Sequence, residues 1–186
     1  MNRKMPDPTT DFHHLRSRLE IDEDARLKLN GQEMILLPRH FFRYILRDVK
    51  NALGAEAFRQ VFLKAGHDGA LTFCRRFREV HRCTPEQAVK GYLAEMSLRG
   101  WGRFSIVALE PEREYIEVLL QNSALAAEGD LPSGHVIWEG SMLGVLSFLR
   151  EDDRRSSGKL PGAQSKELPA ARGGHSECRI IVGPQE

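Results

Sequence analysis

The stretch HVIWEGSMLGVLSFLR, residues 135–150, is an apolar segment that lies between polar loops. A membrane-spanning helix needs about 20 apolar residues and this segment has only about 15, so it predicts a helix buried inside a globular protein. Gly140 and Gly144 stand four residues apart, a spacing that lets a helix pack closely against another backbone. The other side of the helix, which carries Trp138 and Met142, is either ordinary core or the wall of an apolar pocket. Periodicity alone leaves both interpretations open.

Strand-like segments stand on both sides of this helix in the sequence. WGRFSIVALE and EYIEVLLQNSA flank the turn Pro111–Arg113 and predict an antiparallel hairpin. The residues expected on one face are Phe104, Ile106 and Ala108 in the first strand and Ile116, Val118 and Leu120 in the second. ECRIIVG, residues 177–183, predicts the last strand. The polar segment 151–167 is rich in Gly, Ser and Pro, which predicts a mobile connection rather than a regular element.

The N-terminal half predicts a short hairpin followed by helices. Asn30-Gly31 supplies the positive φ angles of a tight hairpin turn. A first helix is expected to stop at Gly54, which suits a C-cap, and Thr84 with Gln87 forms the capping box of a third helix. A second helix, residues 55–82, carries an apolar stripe of Phe58, Phe62, Ala65, Phe73, Phe77 and Val80. The order of elements predicts an α+β fold with an antiparallel sheet and helices.

Composition bounds the class of protein. The 186 residues carry 27 basic and 26 acidic side chains, a formal charge of +1, so no electrostatic footprint for nucleic acid is present. The start, residues 1–15, has charge but no apolar core and predicts no secretory signal. Three cysteines form no paired framework, which favours a reducing compartment. We therefore expect a cytoplasmic protein that binds no membrane, with a flexible arm over residues 1–20 and one domain over 21–186.

Two short motifs admit a chemical interpretation. In GHSEC, His175 and Cys178 are candidates for a metal site or for a nucleophile with its base, although a turn leading into a strand is the simpler interpretation. In RGWGR, Trp101 stands between two arginines as in a base-stacking site. A single aromatic residue in a nearly neutral chain is weak support for that, and we expect no nucleic-acid partner.

Three segments taken together resemble a known family. VLLQNSALA (118–126), HVIWEGSMLGVLSFL (135–149) and GGHSECRIIVGP (173–184) are similar to the 4-vinyl reductase domain. Over residues 25–184 the chain also resembles the sensor domain of bacterial activators that respond to phenol and xylene. The resemblance implies the ligand-binding fold of NO-signalling and Golgi-transport proteins. It also implies a homodimer with a hydrophobic pocket between helices and sheet.

The resemblance implies which residues contact a ligand. The set comprises Gln87, Tyr92, Phe104, Leu120, Trp138, Ser141 and Met142. Gln87 matches a histidine and Leu120 matches a tryptophan that contact phenol in the sensors. Because leucine is smaller than tryptophan, a roomier and more aliphatic pocket is expected, for a hydrophobic molecule other than phenol.

A zinc site is also implied, in incomplete form. The sensors hold zinc with three cysteines and a glutamate, and His135, Glu167 and Cys178 match three of these positions. Ala170, which cannot bind a metal, falls at the fourth, so His175 would have to stand in.

The sequence thus predicts a sensor or carrier domain that binds a hydrophobic small molecule and has no chemistry of its own. It carries no P-loop, so its output is expected to pass through a protein partner. One alternative is an accessory or reductase protein that acts on a tetrapyrrole vinyl group, although no GxGxxG turn or flavin motif supplies a hydride source. A second alternative is a structural assembly subunit whose pocket is filled by its own side chains.

Overall fold

The computed structural model describes residues 19–29, 32–126, 134–152, 162–168 and 177–183. The chain divides into two compact units, Met1–Phe42 and Arg43–Glu186. The predicted arm over residues 1–20 lies almost wholly outside the described residues, and its separation from one domain over 21–186 stays a prediction. His175 and the Asn30-Gly31 turn also lie outside the described residues.

The first unit contains a small antiparallel sheet. Its strands are β1 (Leu19–Ile21), β2 (Leu27–Leu29) and β3 (Gln32–Met34), in that spatial order. Leu29 pairs with Gln32 and Leu27 with Met34, which is the strand pairing that the predicted hairpin requires. Strand β1 was not expected, because it is only three residues long and carries no clear alternation.

Three helices are described. Helix α1 (Arg39–His81) is interrupted at Gly54, whose φ of 80° and ψ of 167° confirm the predicted break. Helix α2 (Pro85–Leu98) begins with the predicted capping box: Gln87 N–H donates to Thr84 Oγ1 at 3.3 Å, and Thr84 N–H donates to Gln87 Oε1 at 2.9 Å. Helix α3 (Val136–Asp152) is the predicted apolar helix.

The second unit contains a four-stranded antiparallel sheet. Its strands are β4 (Arg103–Glu110), β5 (Tyr115–Gln121), β6 (Gly162–Leu168) and β7 (Glu177–Gly183), in the spatial order β4-β5-β7-β6. The predicted α+β class with antiparallel sheets and helices is therefore confirmed. Strand β6 corrects the last part of the prediction of a mobile connection over 151–167, whereas residues 153–161 lie outside the described residues. Among the described strands, β6 pairs only with β7, at the sheet edge, so its backbone hydrogen bonds define it more than its mixed side chains do.

A β-bulge changes the predicted inner face of β4. Phe104 lies opposite Leu120 and Ile106 opposite Val118, as expected for one shared face. The register then shifts, so that Ala108 faces Glu117 while Leu109 takes the place opposite Ile116. The extra residue in the bulged strand moves Ala108 off the face that strict alternation predicts.

The buried stripe of α1 agrees with the predicted one only in part: Phe58 is buried and Phe62, Phe73 and Phe77 are half-buried, as expected. Ala65 is exposed and Val80 is 66% exposed, whereas Gly66, Ala70 and Cys74 are buried. Small side chains lie inside here because α3 approaches the α1 backbone. A Cβ atom added at Gly66 would collide with the Ile137 carbonyl, so hydrophobicity was the wrong guide to this face.

The glycine pair of α3 makes the reciprocal contact. A Cβ atom at Gly140 would collide with the carbonyl of Leu63, and one at Gly144 with the carbonyl of His67. The predicted close packing of GSMLG against another backbone is confirmed. No helix among the described residues is long and apolar enough to cross a membrane.

Candidate functional site

Two helices and the sheet of the second unit bring together six of the seven predicted ligand-contacting residues, all except Gln87. Strand pairing places Phe104 of β4 beside Leu120 of β5, and both are buried. Trp138 and Met142 stand one turn apart on α3 and are buried too. Tyr92 of α2 is also buried. We call these residues, together with Ser141 of α3, the interior cluster.

Trp138 joins α3 to the sheet within this cluster. Its ring meets the Phe104 ring nearly edge-on, with centroids 4.9 Å apart and an interplanar angle of 73°. The Trp101 ring approaches Trp138 in a similar way, with centroids 5.6 Å apart. Trp138 is 3% exposed, yet its indole Nε1 has no hydrogen-bond partner among the described residues. A buried donor left unsatisfied costs about 1–3 kcal/mol, so this atom is an exception that calls for an explanation.

Tyr92 and Ser141 satisfy each other on the α2 side of the cluster. The Tyr92 hydroxyl hydrogen-bonds Ser141, and Ser141 Oγ donates to the Ile137 carbonyl at 2.9 Å. Burial raises the pKa of Tyr92 above its ordinary value. Tyr92 is therefore a neutral hydroxyl at physiological pH. Its ring lies against Phe73 of α1, with centroids 5.3 Å apart.

Gln87 does not join the interior cluster. Its side chain is exposed and caps the N-terminus of α2 through Thr84. The structural explanation of Gln87, which the capping pattern already offered, accounts for both its amide oxygen and its backbone N–H.

The predicted metal ligands are placed as follows. Cys178 is buried in β7 opposite Leu120, and its thiol lies 3.6 Å from the Arg179 carbonyl. His135 is buried just before α3, and its Nε2 lies 3.0 Å from Ser123 Oγ. The Glu167 backbone pairs with Cys178, but its side chain is outside the described part of the chain. Within that part, no group of three or more His, Cys, Asp or Glu side chains could hold a metal ion. The Glu167 side chain and His175 lie outside that part, so the predicted zinc set stays a prediction.

Sequence reasoning missed a buried ion pair beside Trp138. Glu139 of α3 is buried, its Oε2 lies 2.6 Å from Arg59 Nη1, and Ser165 Oγ of β6 donates to its Oε1 at 2.6 Å. This network ties α1, α3 and the edge strand together. A glutamate in an otherwise apolar helix was the available signal, because buried carboxylates are normally paired.

A basic surface cleft was also missed. It has a volume of about 470 Å³ and lies where the last turns of α1 meet α3, with Arg75, Arg78, Arg82 and Cys83 among its lining residues. Arg75 Nε donates to Glu151 Oε1 at 2.9 Å, so one of these arginines is neutralised across the cleft. Burial raises the pKa of Cys83, although Arg78 opposes that shift. The cleft does not hold an activated thiolate.

Solved structures share this architecture. The phenol-responsive sensory domain of the transcription activator PoxR, determined with phenol, matches with a TM-score of 0.67 and 18% identity, covering 99% of this chain and 92% of that chain. This match confirms the expected resemblance to such sensor domains at the level of fold. A protein of the H-NOX family, studied for heme distortion, matches with a TM-score of 0.47 and 12% identity, covering 96% of this chain and 86% of that one. Trafficking protein particle complex subunit 3 from Naegleria fowleri, covalently bound to palmitic acid, matches with a TM-score of 0.44 and 10% identity, covering 80% and 98% respectively.

By sequence, the chain matches a family model but no curated protein. The family model matches residues 15–107, half of the chain, which include the three-stranded sheet, helices α1 and α2 and the start of β4. The chain belongs to the family described as Domain of unknown function (DUF5943).

Proposed function

We propose that the second unit binds a small apolar molecule between its helices and its four-stranded sheet, and serves as a sensor or carrier domain. The observation that carries the proposal is the interior cluster, in which large apolar side chains from α2, α3, β4 and β5 converge away from solvent. The fold it shares with the PoxR sensory domain, whose structure contains phenol, supports the same function.

The proposal assigns no catalysis to the cluster. Burial raises the pKa of Tyr92 in the cluster and that of Cys74 in the neighbouring helix α1, the latter to about 12, so both groups stay protonated at neutral pH. A protonated cysteine thiol and a protonated tyrosine hydroxyl are poor nucleophiles. The described residues of the cluster thus offer surfaces and hydrogen bonds for holding a molecule, which is the role of a binding domain.

Two finer parts of the proposal concern assembly and family. We propose a cytoplasmic homodimer that passes its signal to a protein partner. Ile35 and Leu36 of the first unit, 77% and 81% exposed, supply apolar surface of the kind that protein partners cover. Membership of the 4-vinyl reductase family, action on a tetrapyrrole and the zinc set of His135, Glu167 and Cys178 stay predictions.

Native mass spectrometry of the purified chain tests the proposal first. An organic molecule retained on a dimer would identify the ligand, a pigment would favour the tetrapyrrole alternative, and zinc would appear as a defined mass increment. A thermal-shift screen with uncharged aromatic and aliphatic molecules then measures binding to the emptied protein.

A matched pair of variants locates the binding site. Leu120→Phe adds a ring to the interior cluster and is expected to reduce binding at least tenfold, whereas Val107→Phe, at a residue that is 51% exposed, should leave binding unchanged. Circular dichroism verifies that both variants fold. A wild-type protein that carries no molecule and responds to none of the panel would contradict the proposal and favour a structural assembly subunit.

A further inference from the structure

The starting observation is the indole N–H of Trp138. It lies in the first turn of α3, is shielded from solvent, and has no hydrogen-bond acceptor within the described ranges. The rings of Trp101 and Phe104 flank it edge-on, so its surroundings are apolar. Buried donors in native proteins are almost always paired, with protein, water or a ligand.

Other polar atoms of the interior cluster are already paired and do not supply this acceptor. Tyr92 bonds Ser141, and Ser141 Oγ bonds the Ile137 carbonyl at 2.9 Å. The cluster therefore has an N–H donor in excess. A bound molecule that fits it best brings an acceptor and few donors of its own.

The charges near the cluster are also paired. The Glu139 carboxylate is held by Arg59 at 2.6 Å and by Ser165. Arg99, whose guanidinium lies 5.6 Å from the Phe73 ring centroid, faces Glu95 at 3.9 Å. A carboxylate or ammonium placed beside Trp138 would lose its hydration and would compete with these pairs. The acceptor that suits the site is uncharged.

We propose that the molecule held by the interior cluster is a compact, uncharged, largely apolar compound whose carbonyl or ether oxygen accepts a hydrogen bond from Trp138 Nε1. This rests on the proposed function, and it adds the chemical class of the ligand and the residue that recognises it. Trp138 selects for an oxygen acceptor, while Phe104, Leu120 and Met142 contact the apolar body.

Two nearly isosteric probes test the proposal on the full chain. Acetophenone carries a carbonyl oxygen where α-methylstyrene carries a methylene group. Acetophenone is expected to bind roughly five- to tenfold more tightly by calorimetry, the factor typical of one well-placed hydrogen bond. The chain has two tryptophans, so ¹⁵N-labelled tryptophan gives two indole signals, and acetophenone should move the Trp138 proton downfield while α-methylstyrene should not.

Two matched substitutions test whether Trp138 causes the preference for acetophenone. Trp138→Phe is expected to bring the two affinities within twofold of each other, while Trp101→Phe keeps the preference for the ketone. Equal wild-type affinities, a preference that survives Trp138→Phe, or tighter binding of benzoate than of acetophenone would overturn the assignment and leave the proposed function standing. Binding of neither probe would also overturn the assignment, and the proposed function would fall with it only if the wider thermal-shift panel gave no binding either.

Discussion

The two faces of α3 pack by different means. On the face toward α1, Gly140 and Gly144 bring backbone against backbone, and Gly66 returns the contact from the other side. On the face toward the sheet, large side chains such as Trp138 and Met142 make the contacts. A backbone contact has no rotamers with which to adjust, whereas a side-chain contact can rearrange around a bound molecule. The glycine face therefore anchors the helix, and the aromatic face is the one that can respond to a ligand.

The largest effect is expected at the glycine face. Gly140→Ala places a methyl group against the Leu63 carbonyl, which cannot move without shifting α1, and should lower the free energy of unfolding by about 2–3 kcal/mol. Gly69→Ala is the matched control, because a Cβ atom there meets nothing within 4 Å. That substitution should stabilise the protein by up to about 1 kcal/mol through helix propensity. Urea denaturation measures both changes, and equal effects at the two sites would remove the distinction between the faces.

The buried ion pair comes next in expected size. Glu139→Ala leaves Arg59 and Ser165 without their acceptor and should destabilise the protein by about 2 kcal/mol. The expected loss is below that of a fully buried pair, because the Arg59 side chain is 44% exposed and can regain water. Glu110→Ala, which removes an exposed pair with Arg113, is the control and should cost less than about 0.5 kcal/mol. Similar losses for both variants would mean that burial of Glu139 contributes nothing.

Cys74 is one of the small residues that α1 buries. It predicts that the stability of the protein falls as the pH rises above 9. Burial raises the pKa of Cys74 from 9.0 to about 12, so the folded state holds this proton more tightly than the unfolded state. The corresponding stability is fully present below pH 9 and is lost as the pH rises toward 12, at about 1 kcal/mol per pH unit just above pH 9. Cys74→Ala should flatten the slope of unfolding free energy between pH 9 and pH 10. An unchanged slope in the variant would show that Cys74 does not titrate in this way.

Sequence patterns predicted the elements of this fold better than they predicted its contacts. The break at Gly54, the capping box at Thr84, the hairpin of β4 and β5 and the helix α3 are all encoded by local residues. The part of the buried stripe of α1 that was missed has small side chains, and helix packing at glycine depends on a partner distant in sequence. Strand β6 was missed because an edge strand is defined by its neighbour's backbone.

In the candidate site, too, the sequence predicted which residues are buried better than it predicted their contacts. Phe104, Leu120, Trp138 and Met142 followed from alternation, helical spacing and the family resemblance, and the structure buries all four. The resemblance placed Gln87 in the ligand-contacting set, although the sequence also carried its capping pattern, and capping is what the structure shows. The unsatisfied indole N–H of Trp138 and the partners of Glu139 had no sequence signal, because each depends on which atoms arrive from other elements.

The smallest expected effect concerns the contact between His67 of α1 and Ser147 of α3. His67 Nε2 lies 2.9 Å from Ser147 Oγ, one turn beyond Gly144, so a polar contact continues the glycine face along α3. Asp68 holds the other ring nitrogen of His67 at 3.0 Å and Lys64 Nζ at 2.5 Å, which orients the imidazole. Ser147→Ala should lower the free energy of unfolding by about 0.5–1 kcal/mol, as expected for a partly buried hydrogen bond. Because the glycine face anchors the helix without contacting the ligand, this variant should leave the affinity of the emptied protein for acetophenone unchanged. A loss of affinity with no loss of stability would mean that the two faces are coupled, and that ligand binding depends on the packing of α3 against α1.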